Sequence, residues 1–480
     1  MSHGLSARLS AAGAAAILGL TCAAPVRADA IDDGAAGRAA ILAGHYDEAI
    51  ALFTRSITSG TLTPVNQAIA LNLRGYAYMQ KGLDAAALDD LNLSLAKAET
   101  PDAHFNRARV LIDQYHYDTA IDDLNRVVVL GAQGADVYAL RGHAYLYAGK
   151  LDQAVKDLNE AIRQNPNYAL AYVTRGHAFM NAGQDDRAIA DETKAIALAP
   201  KNLEAHWLRA YAWRYHKNAP EKALADYSAA LLIDPADGAA RDSRADTYEA
   251  MGRWADAQAD YAAWIRNNPD SSFGYWARGQ ASLMQGHAAE GAIDLAKAVS
   301  LKPSDGYAVI WLHLARRKAG ADDQGELQAN AARVDTAWPG PVAQYFAGRI
   351  DAAAVMARAA QGDGKPAALQ TCEAELFLGQ DDLDQGRKAQ GLERLKAAAK
   401  TCDAASREAR MTRVVLQQAG VATPKPILAS AAPDKSAAPA ATATALTALA
   451  KPAALARKPA RQAAQAQASP ELLGLRGSLK

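Results

Sequence analysis

An arginine, usually followed by glycine, returns roughly every 34 residues down most of this chain, at Arg74, Arg107, Arg141, Arg175, Arg209, Arg244 and Arg278. A period of this length marks a repeated two-helix unit, each copy of which buries its apolar face only against its neighbours. Few constraints on folding are stronger. A chain written this way forms no single globular core over the repeated stretch, and it presents many equivalent helices side by side.

The unit is clearest between Ala169 and Pro200. Gly176 and Ala188 are small residues through which two antiparallel helices approach closely, and Ala195 is a second small packing position. Gly183 falls at the turn, where a positive φ is tolerated best without a Cβ. Pro200 follows the second helix, which it prevents from continuing. Gly142, Gly149, Ala154, Ala161 and Pro166 repeat the pattern, as do Gly279, Gly286, Ala292, Ala298 and Pro303. With these residues at matched offsets, positions from about 30 to 320 resemble bacterial tetratricopeptide repeat (TPR) proteins. The resemblance implies an all-α fold: a right-handed TPR superhelix of about nine to ten helical hairpins. Two inserts, around Ser59–Pro64 and Asn218–Pro220, are expected in loops, and no strand-like alternation of useful length occurs.

Formal charge is zero, with 52 basic and 52 acidic residues, which argues against a general nucleic-acid binder. Residues 1–30 read as a secretory signal peptide: Arg8, an apolar run from Leu9 to Cys22, then small residues at Ala28 and Ala30. The run is too short to span a membrane. Gly19 and Thr21 stand where lipidation of Cys22 would want leucine and a small residue, so export to a bacterial periplasm without a lipid anchor is expected. From about Val421 to residue 480 the chain is rich in Ala, Pro and Lys, and is expected to be disordered. Eight basic residues against two acidic ones give this tail 8 − 2 = 6 positive charges. It is read mainly as a solubilising segment, with weak contact to anionic wall polymer or membrane as a second use.

Between the solenoid (31–335) and the tail lies a block, 336–420, expected to be a helical cap closed by a last TPR hairpin. Trp338-Pro339-Gly340-Pro341, a helix near Ala352–Gln361, and Phe377-Leu378-Gly379 follow the Tyr307–Leu312 stretch in order. This block is similar to the C-terminal part of NlpI-type periplasmic TPR adaptors. The resemblance implies a protein that holds proteases and cell-wall hydrolases and catalyses nothing itself. Counting offsets from Leu378-Gly379 puts Cys372 and Cys402 at adjoining ends of the last hairpin, where either a disulfide or two buried thiols could result.

Sixteen residues after each arginine stands an aspartate: Asp90, Asp123, Asp157, Asp191, Asp260 and Asp294, with Asp226 at seventeen. A ladder of ion pairs follows, within each repeat or to the next, suited to the forked guanidinium; Arg141–Asp157, Arg175–Asp191, Arg244–Asp260 and Arg278–Asp294 are its expected core. The inner groove is expected from fixed places on the first helices: Trp207, Tyr211, Arg214 and Tyr215, then Asp242, Asp246 and Glu249, then Phe273, Trp276 and Gln280. Aromatic anchors flanking an acidic patch suit a peptide carrying apolar residues and a Lys or Arg; burial between repeats is the alternative for some of these rings. His143 and His177 fall at equivalent places but lack a third metal ligand, and no catalytic or phosphate-binding motif is present. The sequence therefore reads as a cofactor-free, non-catalytic periplasmic scaffold for a protein or peptide. The competing reading is a self-associating structural protein tethered by its tail.

Overall fold

Several helices begin at short local signals. Asp29, Thr63, Thr100, Asn202, Asp237, Asp305, Asp351 and Ser406 each accept a backbone N–H of the helix they precede. Such caps satisfy donors that have no partner inside the helix, worth about 1 kcal/mol apiece. Pro64, Pro101 and Pro220 open helices from the first turn, where the missing N–H is not needed. Gly44, Gly82, Gly149, Gly183, Gly252 and Gly286 turn the hairpins with φ between 69° and 88°.

The computed structural model describes residues 29–362, 366–403 and 406–423. The segments read as a signal peptide and as a tail lie outside the described residues, save for their inner ends. All regular structure among the described residues is helical, and the chain divides into two compact units at residues 132/133.

The first unit holds α1 (Ala30–Leu42), α2 (Tyr46–Thr58), α3 (Pro64–Gln80), α4 (Asp84–Lys97), α5 (Pro101–Asp113) and α6 (Tyr117–Val129). They pair as three hairpins, α1 with α2, α3 with α4 and α5 with α6, and first helices touch first helices. The insert near Ser59–Pro64 is only partly loop. Thr63 and Pro64 start α3 one turn earlier than the expected Ala68, so some of the inserted chain is helix.

The second unit continues with α7 (Ala135–Tyr147), α8 (Leu151–Gln164), α9 (Ala169–Asn181), α10 (Asp185–Leu198), α11 (Leu203–Tyr211), α12 (Pro220–Ile233), α13 (Gly238–Ala250), α14 (Trp254–Asn267), α15 (Ser272–Met284) and α16 (Ala288–Leu301). Then come α17 (Gly306–Lys318), α18 (Gln324–Ala331), α19 (Gly340–Phe346), α20 (Ala352–Gln361), α21 (Ala367–Asp384), α22 (Lys388–Thr401) and α23 (Arg407–Gln418). Here the extra residue expected in the loop at Asn218–Pro220 sits elsewhere. Helix α11 runs on into a π-helical turn, Ala212–His216, in which Lys217 N–H bonds to Ala212 C=O at 3.0 Å. An i→i+5 turn takes up one residue without breaking the helix.

Helices within a hairpin meet through a recurring pair: the glycine after Arg74, Arg141 and Arg278 faces the leucine seventeen places after that arginine. A Cβ on Gly75 would lie 3.1 Å from Leu91, on Gly142 2.7 Å from Leu158, and on Gly279 2.8 Å from Leu295. The leucines have no exposed surface, and each contributes about 1.5–3 kcal/mol by burial. In the second unit one apolar core runs without interruption from Leu283 on α15 to Leu416 on α23. No break in packing marks the boundary expected at 335/336.

Candidate functional site

The ion-pair ladder lies within the hairpins. Nε and Nη2 of Arg175 both donate to Asp191, each at 2.7 Å. Arg74–Asp90, Arg107–Asp123, Arg141–Asp157, Arg209–Asp226, Arg244–Asp260 and Arg278–Asp294 form the same fork, with distances of 2.5–2.9 Å. Asp226 keeps its partner despite the seventeen-residue spacing because the π turn absorbs the difference. The third nitrogen, Nη1, reaches back to the preceding hairpin: Arg107 to Asn92, Arg175 to Asn159, Arg209 to Thr193 and Arg244 to Ser228, at 2.7–3.0 Å. The sequence reading named the aspartates and missed these acceptors. Their signal was present: each stands two residues after an aspartate of the ladder. Ala262 stands there before Arg278, which has no side-chain acceptor at that place. The ladder therefore locks hairpins to one another.

Cys372 and Cys402 are joined as a disulfide with their Cα atoms 5.0 Å apart. Helix α21 starts five residues before Cys372, so the staple joins the second turn of α21 to the end of α22. Trp338 and Tyr307 meet at buried Glu373, which accepts from Trp338 Nε1 and, at 2.6 Å, from the Tyr307 hydroxyl, while Phe377 packs edge-on against Trp311 at 5.3 Å.

The groove residues divide into two sets. Trp207 and Tyr211 are 4% and 7% exposed. Their rings stack at 5.4 Å, Tyr211 meets Tyr215 at 4.6 Å, and the set packs against Val173, Phe179 and Met180 of α9. These rings fill the seam between hairpins, and the expectation that they line an open groove is corrected. Burial is favoured there because three large rings one turn apart along α11 and its π-helical extension stand beside an apolar α9.

Asp242, Asp246, Glu249, Trp276 and Gln280 do come together, on the neighbouring faces of α13 and α15, but their seat is occupied by α23. Arg410 pairs with Asp246 and lies 3.7 Å from Glu249. Arg407 lies 3.5 Å from Glu249, donates to the Tyr261 hydroxyl at 3.3 Å, and sits over the Trp276 ring at 5.2 Å. Gln280 Nε2 donates to the Met411 sulfur at 3.6 Å, and Gln418 Nε2 to the Met284 carbonyl at 3.4 Å. From the groove side Asp246 also receives the Tyr215 hydroxyl at 3.1 Å and Arg214 at 3.5 Å. Phe273 stays at the margin, 6.0 Å from Trp276 and edge-on to Trp264 at 5.3 Å.

Electrostatics follow from these neighbours. Burial acts to raise the Asp246 carboxyl, but Arg410, Arg214 and Arg407 outweigh it and hold the group down at about 2. Asp242 is less well served: burial pushes it up to about 6, with Arg407 only partly offsetting. The acidic patch is thus neutralised largely by the chain's own last described helix. Sequence reasoning named the acidic residues of the patch and did not name α23, which covers them. The available signal was a basic amphipathic stretch, Arg407-Glu-Ala-Arg410-Met411, with Val415 one turn on.

His177 is buried and His143 half-buried on either side of Tyr147, whose ring lies 4.7 Å from His143 and 5.8 Å from His177. Burial pushes both down to about 4, His143 adding to the effect on His177. Among the described residues no group of three His, Cys, Asp or Glu could hold a metal, and no helix is long and apolar enough to cross a membrane.

Comparison with known families finds tetratricopeptide repeats at residues 35–100, 173–240 and 243–306, and a TPR repeat at 142–183. No curated protein matches the chain. Similar solved structures include a tetratricopeptide repeat protein from Parabacteroides merdae, at 20% identity over 52% of this chain and 99% of that one, TM-score 0.38. TTC0263, a TPR protein of Thermus thermophilus, is 25% identical over 36% and 95%, TM-score 0.33. YrrB, described as a TPR protein with an unusual peptide-binding site, is 20% identical over 39% and 94%, TM-score 0.32. The helical hairpins over the matched residues are tetratricopeptide repeats.

Proposed function

We propose that the protein is a non-catalytic scaffold of the bacterial periplasm that docks envelope proteins on the first helices of its repeats. The observation that carries this reading is the side-by-side packing of first helices within the second unit, α7 on α9 and α9 on α11, and further along α15 on α17. Walls of this kind bind polypeptides. The apolar run at residues 9–22 and the buried disulfide support an oxidising, exported location. The order of elements from Tyr307 to Gly379 supports the likeness to NlpI-type adaptors, and with it proteases and cell-wall hydrolases as clients.

Photo-crosslinking in intact cells tests the proposal. A benzophenone amino acid at Asn181, exposed at the end of α9, is expected to give a discrete adduct with another protein; one at Lys156, exposed on α8, is expected to give none. Equal labelling at both sites, or none at either, would count against docking on the first helices. Release of the protein by osmotic shock checks the location separately.

A further inference from the structure

We propose that α23 is a placeholder: the seat on α13 and α15 is built for a partner's basic amphipathic helix, and the chain's own helix fills it until that partner arrives. The proposal rests on the scaffold reading and names the class of client. Its ground is the fit of α23, which is good in charge and poor in hydrogen bonding.

The charge fit is close. On the receptor side Arg214 pairs with Asp246, and Arg407 and Arg410 supply two further cations to Asp242, Asp246 and Glu249. Two arginines three residues apart lie on one face of a helix, where each can reach one carboxylate. Met411 beside them offers a flexible apolar side chain to Gln280.

The hydrogen bonding is incomplete. Trp276 Nε1, Gln280 Oε1 and Asp242 Oδ1 on the receptor side have no partner under α23, and neither does Thr412 Oγ1 on α23 itself. Gln280 is 2% exposed and Thr412 wholly buried. Buried polar atoms of this kind are costly to leave unpaired. A helix that keeps the Arg-x-x-Arg pair, but offers an acceptor to Trp276 and donors to Gln280 and Asp242, therefore binds the same seat better. The client's chemistry follows: an amphipathic helix with two arginines one turn apart, an unbranched apolar residue next to the second, and amide or hydroxyl groups flanking them. Helix α23 can leave without unravelling the hairpin before it, because the Cys372–Cys402 disulfide closes that hairpin immediately upstream.

The probe is a fluorescein-labelled peptide of residues 406–423, titrated into the full chain and followed by anisotropy. Intramolecular competition from α23 weakens binding to the wild type. In the R407A/R410A double variant, whose own helix has lost its grip, the peptide is expected to bind at least tenfold more tightly. Adding Asp246→Asn and Glu249→Gln to that variant should abolish binding, as should the same two alanines in the peptide. Equal affinity for wild type and variant, or no binding to a folded variant, would overturn the proposal. So would light scattering that shows a dimer with α23 exchanged between copies.

Should the variant lose its helical circular dichroism, hydrogen exchange on the wild type decides. Amides of α23 exchanging well before those of α21 and α22 support a detachable helix, and exchange only together with them refutes it. None of these readouts uses a natural client. A failure here removes this seat and leaves docking elsewhere on the first helices to the crosslinking result.

Discussion

Glu192 stands where the equivalent hairpins carry Leu91, Leu124, Leu158 and Leu295. It is 1% exposed, both carboxyl oxygens lack a hydrogen-bond partner, and one points at Gly176. Burial raises its pKa well above the ordinary carboxylate value, with Glu204 and Asp191 adding to the effect. The native state therefore holds a proton that the unfolded chain releases near its ordinary value of 4.5. Stability from this source is fully present below that pH and is lost as pH rises toward the folded pKa. Glu192→Leu removes the unpaired group and supplies the side chain the site accepts elsewhere, so it is expected to stabilise by about 1–3 kcal/mol near neutral pH. Urea unfolding at pH 5 and pH 8 checks the sign: the advantage of the variant should widen with pH. A second residue-scale test concerns the ladder. Arg175→Ala strips Asp191 of both its guanidinium bonds and frees Asn159, and is expected to cost about 2–4 kcal/mol by leaving a buried charge unpaired. Arg175→Lys should recover only part, since one ammonium cannot fork onto Asp191 and also reach Asn159.

At the scale of helices, hairpin geometry rests on small residues at the crossing. A Cβ on Gly279 would meet the Gly291 carbonyl at 2.8 Å and Leu295 at 2.8 Å, and one on Gly291 would meet the Gly279 carbonyl at 2.7 Å. Backbone on both sides leaves no flexible atom to give way. Gly279→Ala is thus expected to destabilise the second unit by about 1–3 kcal/mol by overpacking, despite alanine's better helix propensity. A lowered unfolding midpoint with unchanged helical content at low denaturant is the check. Such contacts were legible in the sequence because hairpin after hairpin writes them again: an arginine followed by glycine or alanine, and an aspartate sixteen or seventeen places on, recur seven times. The seat of α23 was not legible in the same way. Asp246 and Arg410 are 164 residues apart and meet once, so no period announces them. Trp207 and Tyr211 misled for a related reason: their offset places them on the first-helix wall, but whether that place is open depends on the size of the rings packed beside it. The π turn at Ala212–His216 shows a third limit. One surplus residue can be stored in a loop or in a wide helical turn, and spacing alone is the same for both.

Across the second unit, the disulfide and α23 act on the same stretch of chain from opposite ends. Cys372 and Cys402 close a loop with a sequence separation of 30 and lie in the core that runs from α15 to α23. For a loop of that size the constraint on the unfolded chain is worth about 3–4 kcal/mol. Replacing both cysteines by serine removes it and places hydroxyls in an apolar setting, so a fall of that order in unfolding free energy is expected. Helix α23 follows Cys402 after a short connection, and the staple fixes the point from which Arg407 and Arg410 are aimed at Glu249 and Asp246. Losing the staple should therefore loosen α23 before it loosens α13 or α15, whose own hairpins stay closed by Arg244–Asp260 and Arg278–Asp294. Hydrogen exchange on the C372S/C402S variant reads this directly: protection should drop at residues 407–418 and hold at 238–250 and 272–284. A uniform loss over all three segments would mean that α23 is a fixed wall of the core, held as firmly as the repeats it covers.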